Sequence, residues 1–186
     1  MVFPYLKPNA TVLIQDLTVQ KFLFIAQPNT IIPTLRYNLL SSHMNPHNTE
    51  IFFVDDDIDD RELIKESFDS LGSSCNAKTF GSGIDLIAAL KKLNVKQFPS
   101  LIVLDINMPM MSGIQVLETL KQDPQFALIP VAFFTTSCSP ALEKELVKKG
   151  AIACIQKASA YKELKSQMAY FEELAASYKH KGATAA

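Results

Sequence analysis

After Met44 the chain is built from short apolar runs that alternate with amphipathic stretches. Ile51-Phe52-Phe53-Val54, Leu101-Ile102-Val103-Leu104, Val131-Ala132-Phe133-Phe134 and Ala151-Ile152-Ala153-Cys154-Ile155 each have strand length and no polar interruption. Runs apolar on both faces suit parallel strands covered by helices on each side. A weaker run, Ala77 to Phe80, supplies a fifth strand near an edge.

Helical patterns with recognisable ends fill the gaps. Ile64, Phe68 and Leu71 share a face, with Asp59 and Glu62 spaced like a capping box and Gly72 placed to stop the helix. Ser82 and Asp85 open the stretch carrying Ile87, Leu90 and Leu93, and Ile114, Leu117 and Leu120 mark a helix ended before Pro124. Ser139-Pro140 is an N-cap and first-turn pair, closed by Gly150. Tyr161, Leu164, Met168, Phe171 and Leu174 form the stripe of a last helix. Five β-α units in succession predict an α/β fold, an open parallel sheet with right-handed crossovers.

Composition narrows the function little. With 186 residues the chain has room for a sizeable core, and a formal net charge of −1 makes no electrostatic case for nucleic acid. Cys75, Cys138 and Cys154 are odd in number, with no C-x-x-C spacing, and read as free thiols in a reducing compartment. His43, His47 and His180 have no metal-ligand spacing. The most apolar early stretch, Thr11 to Ile25, is broken by Asp16 and Lys21 and falls short of the roughly 20 apolar residues of a membrane span. No membrane insertion and a cytoplasmic location are the expectation.

The chemistry lies where the strands end. Asp55-Asp56-Asp57 follows the first strand, Asp105 the third, Thr135 closes the fourth, and Lys157 lies just beyond the fifth. In open α/β sheets, sites form outside the carboxyl ends of the strands. Singly, each residue has an ordinary reading: a solvated loop, a turn former, a β-branched strand residue, a surface charge. Asp59 and Asp60 are read as a helix start. Together, clustered carboxylates call for a cation, and oxygen-only donors favour a hard ion such as Mg²⁺. A second fixed positive charge and a hydroxyl then equip the rim for phosphoryl transfer, with a carboxylate as nucleophile.

These residues carry a family resemblance. From about Thr49 to Tyr178 the chain resembles the receiver domain of two-component response regulators. The match runs through Ile51 to Asp57, Leu104-Asp105-Ile106-Asn107-Met108-Pro109-Met110-Met111-Ser112-Gly113, Ile129-Pro130-Val131 leading to Thr135, and Gly150-Ala151 leading to Lys157. The resemblance implies a flavodoxin-like doubly wound (βα)5 fold with strand order 2-1-3-4-5. It makes Asp105 the phosphoacceptor and gives Mg²⁺ to Asp55, Asp56, Asp105 and the main-chain carbonyl of Asn107. Lys157 neutralises the phosphoryl group, Thr135 swings to hydrogen-bond it, and Pro109 and Gly113 shape the loop after Asp105. The implied partners are a sensor histidine kinase or phosphotransfer protein upstream and a protein target that reads the fourth helix, fifth strand and fifth helix. Output by DNA binding is not expected.

Three positions depart from the family pattern. Ala158 follows the lysine where a proline is usual, Cys154 stands where a mobile Tyr or Phe is frequent, and Thr136 stands where a small residue is common. The expected organisation is an N-terminal extension over 1–43, a receiver over 44–180 and a flexible tail over 181–186. For 1–43 a leader ahead of a natural start at Met44 is favoured over a packed extension or a contact through Leu13, Leu17, Phe22 and Phe24. Two other functions compete. A pseudo-receiver would need no phosphorylation, and an aspartyl-phosphate hydrolase would need a second acid two residues after Asp105, where Asn107 stands.

Overall fold

The computed structural model describes residues 49–72 and 75–179. The expectations for residues 1–43, for the tail 181–186 and for the three histidines lie outside the described residues.

Five strands and five α-helices alternate: β1 (Glu50–Val54), α1 (Ile58–Leu71), β2 (Asn76–Phe80), α2 (Gly83–Leu90), β3 (Leu101–Leu104), α3 (Gly113–Gln122), β4 (Val131–Thr135), α4 (Pro140–Lys148), β5 (Ala153–Gln156) and α5 (Tyr161–Lys179). A 3₁₀ turn, Val95–Gln97, precedes β3. All neighbouring strands pair in parallel, in the order β2-β1-β3-β4-β5. This is the flavodoxin-like arrangement expected from the sequence. No helix among the described residues is long and apolar enough to cross a membrane.

The apolar runs explain the layering. Successive side chains of a strand point to opposite faces, so the unbroken runs feed a core on each side of the sheet. On one side Phe52, Val54, Ile102, Leu104, Val131 and Phe133 meet α2, α3 and α4. On the other Ile51, Phe53, Leu101, Val103 and Phe134 meet α1 and α5. There Phe171 of α5 stands edge-on to Phe53 and Phe134, with ring centroids 5.6 and 5.3 Å away. The two sheet edges differ from the centre. On β2 the exposed Lys78 lies beside Phe52 in register and holds its ammonium 5.4 and 5.3 Å from the Phe52 and Phe80 ring centres. On β5 no residue is fully buried.

Local ends depart from the sequence reading in instructive ways. The N-cap of α1 is Asp57, which accepts from the Asp59 N–H, and not Asp59 itself. In an acidic run any of several aspartates fits the capping pattern, and the end of β1 decides among them. Gly72 closes α1 at φ 62°, as its position implied. Ser82 and Ser139 cap α2 and α4 as expected, but α2 buries Leu86 and Leu90 and stops before Leu93. β5 begins two residues later than its apolar run, at Ala153.

The expectation of three free thiols is overturned. Cys138, in the β4–α4 loop, and Cys154, in β5, form a disulfide with their Cα atoms 6.4 Å apart. Cys75 alone is buried outside any disulfide, its thiol donating to the Thr49 carbonyl at 3.1 Å. Neither spacing nor an odd cysteine count reveals a pair that the β4–β5 pairing creates.

Candidate functional site

Main-chain pairing continues one residue past the central strands and fixes the acids that follow. The Asp55 N–H donates to the Phe80 carbonyl at 3.1 Å, and the Asp105 N–H donates to the Val54 carbonyl at 2.9 Å. Both residues are buried, their side chains 5 % and 8 % exposed. Each folds back on its own loop: Asp55 Oδ1 accepts from the Asp57 N–H at 3.0 Å, and Asp105 Oδ2 from the Asn107 N–H at 2.8 Å. A carboxylate held by a main-chain donor two residues on has its position set by the backbone.

The loop after Asp105 turns tightly. Met110 adopts φ 64°, and the Gly113 N–H donates to the Ile106 carbonyl at 3.0 Å. A Cβ on Gly113 would sit 2.1 Å from the Asp105 carbonyl oxygen, so only glycine brings α3 this close to the end of β3. Ser112 and Gln115 then form the capping box that starts α3.

Lys157 joins the rim from β5. Its Nζ donates to Asp55 Oδ2 at 2.6 Å and to Asp60 Oδ2 at 2.6 Å, and lies 3.7 Å from Asp105 Oδ1. Its own N–H donates to the Thr135 carbonyl at 2.7 Å, tying the ends of β4 and β5 together. Burial alone would lower the Lys157 ammonium, but its hydrogen bonds to Asp55 and Asp60 and the charges of Asp55 and Asp105 together outweigh that and hold it above the ordinary lysine value. Burial pushes the Asp55 carboxyl up, against the pull of Lys157, and the Asp105 charge adds to the rise. Thr135 is almost fully enclosed at the end of β4, 1 % exposed.

The structure therefore gathers Asp55, Asp105 and Lys157 into one charge cluster, with Thr135 at the adjacent strand end. Asp56 and Asn107 lie exposed in the same two loops. Asp60 was read from the sequence as part of a helix start, yet it completes the clasp on Lys157 from the first turn of α1. Its contact spans 97 positions of sequence, and nothing local signals it.

The donor set suits a hard cation. Two buried carboxylates share one ammonium, so their oxygens already face a single positive charge. Among the described residues no three His, Cys, Asp or Glu side chains converge as a ready-made metal cage. Mg²⁺ requires none, since it keeps several waters and binds through one or two carboxylates.

Comparison with known proteins identifies the family. The sequence model of the response regulator receiver domain matches residues 51–169. The chemotaxis protein CheV3 of Helicobacter pylori is 28 % identical over 151 residues, covering 76 % of this chain and 49 % of that protein. The response regulator Rcp1 of Synechocystis sp. is 31 % identical over 101 residues, 53 % of this chain and 68 % of Rcp1. The chain thus spans about half the length of CheV3. The Mn²⁺-bound crystal structure of Rcp1 superposes with a TM-score of 0.58 at 25 % identity, covering 67 % of this chain and 92 % of that one. The phosphorylated cyanobacterial phytochrome response regulator RcpA gives a TM-score of 0.60 at 26 % identity, over 73 % of this chain and 96 % of that one.

Proposed function

The chain belongs to the response regulator receiver family of two-component signalling, and on that premise we propose that Asp105 is its phosphoacceptor. The observation that carries the reading is the buried Asp105 carboxylate, fixed by the Asn107 N–H, with the Lys157 ammonium 3.7 Å away. A carboxylate oxygen of Asp105 attacks the phosphorus of a phosphohistidine on a partner histidine kinase or phosphotransfer protein. The P–O bond to Asp105 forms as the P–N bond breaks, and the histidine nitrogen leaves with the electron pair. The product is an aspartyl phosphate.

Asp55, Asp56, Asp105 and the Asn107 carbonyl are the residues that would hold Mg²⁺. When bound, the ion neutralises charge that builds on the phosphoryl oxygens. The Mn²⁺-bound form of Rcp1 supports a divalent ion at this site. Lys157 supplies a second positive charge, for which it must be shared away from Asp55 and Asp60. Thr135 turns its hydroxyl to the new phosphoryl oxygens, and the loop that follows it moves. The change reaches the surface of α4, β5 and α5, where a protein partner reads it. The proposed receiver covers residues 44–180, acts in the cytoplasm and turns over no exogenous phosphoester, because Asn107 stands where a hydrolase needs an acid.

Intact mass after incubation with a small-molecule phosphodonor, with and without Mg²⁺, tests the reading. One Mg²⁺-dependent phosphate adduct is expected on the wild type and none on Asp105→Asn. An adduct that persists in the variant would overturn the assignment.

A further inference from the structure

The cysteine pair occupies the part of the fold that the proposed switch must move. Cys138 lies three residues after Thr135 and immediately before Ser139, the N-cap of α4. Cys154 lies in β5, opposite Phe133 of β4 and three residues before Lys157. Their bond ties the β4–α4 loop to the strand that delivers Lys157, with the whole of α4 enclosed between the two cysteines.

That loop has little else to hold it. Thr136 and Ser137 are exposed, and among the described residues no turn or cap hydrogen bond between main-chain groups involves Thr136, Ser137 or Cys138. Before them, Thr135 is anchored by its ladder to β5 and by the Lys157 N–H. After them, α4 is fixed by its Ser139 cap and by Leu146 in the core. The cross-link therefore acts on the one stretch between Thr135 and α4 that is free to shift. Both cysteines are half-buried, unlike Cys75 in the core.

We propose that Cys138 and Cys154 form a reversible redox clasp on the output face, a thiol–disulfide exchange site that takes a cellular dithiol as its reductant. The inference rests on the reading of this domain as a phosphorylation switch. Disulfides in reducing compartments are characteristically transient or redox-sensing, and thiol–disulfide exchange supplies a balanced route. A thiolate of the dithiol attacks one sulfur of the pair, the S–S bond breaks, and the other cysteine leaves as a thiolate. The second thiol of the reductant then attacks its own sulfur in the mixed disulfide and releases the first cysteine. Two electrons and two protons pass to the protein, and the dithiol becomes a disulfide; the oxidised form of the same couple drives the reverse. Closed, the clasp pins the loop after Thr135 to β5. Open, it lets the loop follow Thr135 to the phosphoryl group.

The experiment uses the full chain equilibrated in dithiothreitol buffers of graded potential. Alkylation and intact mass count thiols, and hydrogen exchange follows residues 136–139 in the same samples before and after treatment with phosphodonor and Mg²⁺. Two alkylatable thiols are expected to appear on reduction of the native fold. The loop amides exchange about tenfold faster in the reduced form, as expected when a closed loop is opened. A phosphorylation-dependent change at 136–139 appears only in the reduced form, and Cys138→Ser behaves as reduced at every potential. A pair that stays oxidised until the protein unfolds overturns the clasp, as does equal loop exchange in both forms. A phosphate adduct with the same loop response in both redox states overturns the coupling while leaving the phosphoacceptor standing. Absence of the adduct in both states, by contrast, overturns the phosphoacceptor and the coupling together.

Discussion

The centre of the sheet and its β5 edge both deliver charge to the same rim, by different physical means. β1 and β3 are sealed, with every residue from Ile51 to Val54 and from Leu101 to Leu104 at most 1 % exposed. Their acids, Asp55 and Asp105, are held by ladder hydrogen bonds and by main-chain donors in their own loops. β5 has one neighbour, no fully buried residue and a side-chain cross-link. Its Lys157 reaches the site on a flexible stem and is positioned by the carboxylates it meets. Asp105 is placed by the backbone and the Lys157 charge by ion pairs, so the centre should resist perturbation and the edge respond to it.

The largest effect should come from breaking the centre. Phe171→Ala removes the ring wedged between Phe53 and Phe134 and should cost about 4 kcal/mol in urea unfolding. A loss similar to that of an edge substitution would end the contrast. Gly113→Ala comes next, at about 3 kcal/mol, because its Cβ collides with main chain that cannot yield cheaply. On the edge, Cys138→Ser opens a closure between residues 16 apart and should cost about 2 kcal/mol, less than the core lesions. Calorimetry of oxidised protein and variant measures it, and the difference should vanish in reductant.

Asp60→Asn should have the smallest effect on stability, below about 1 kcal/mol, since the Asp60 carboxylate is partly solvated. It sharpens the comparison through Lys157. An ammonium held above its ordinary value stabilises the fold at every pH below that value, and the contribution is lost as pH rises through the folded value. The gap between wild type and Asp60→Asn should therefore stay level from neutral to mildly alkaline pH and close only beyond the ordinary lysine range. A gap that closes near neutrality would show that Lys157 is not its source. With one competitor removed, the phosphate adduct on Asp105 should also form faster.

How much was legible in the sequence follows the same divide. The buried strands announced themselves because an apolar run covered on both faces has no other use, and their ends placed Asp55, Asp105 and Thr135 on one rim. Lys157 was found by its distance beyond the last run, although that strand itself starts later than its apolar residues suggest. What stayed hidden depends on contacts remote in sequence. Asp60 meets Lys157 across the sheet, and Cys138 meets Cys154 only once β4 and β5 pair. Neither leaves a periodic trace. The cap at Asp57 was missed for a different reason, since a cluster of like residues carries no register of its own.

The other edge of the sheet has a consequence for the behaviour of many copies together. A strand with unpaired main-chain groups is a template on which a second chain can add, and growth of this kind leads to fibrils. On β2, Lys78 holds its ammonium over the Phe52 and Phe80 rings, which puts a charge on the edge strand. An incoming strand would have to strip water from that charge with no acid opposite to receive it. One lysine thus opposes edge-to-edge addition at β2 and makes that edge a poor template for polymerisation.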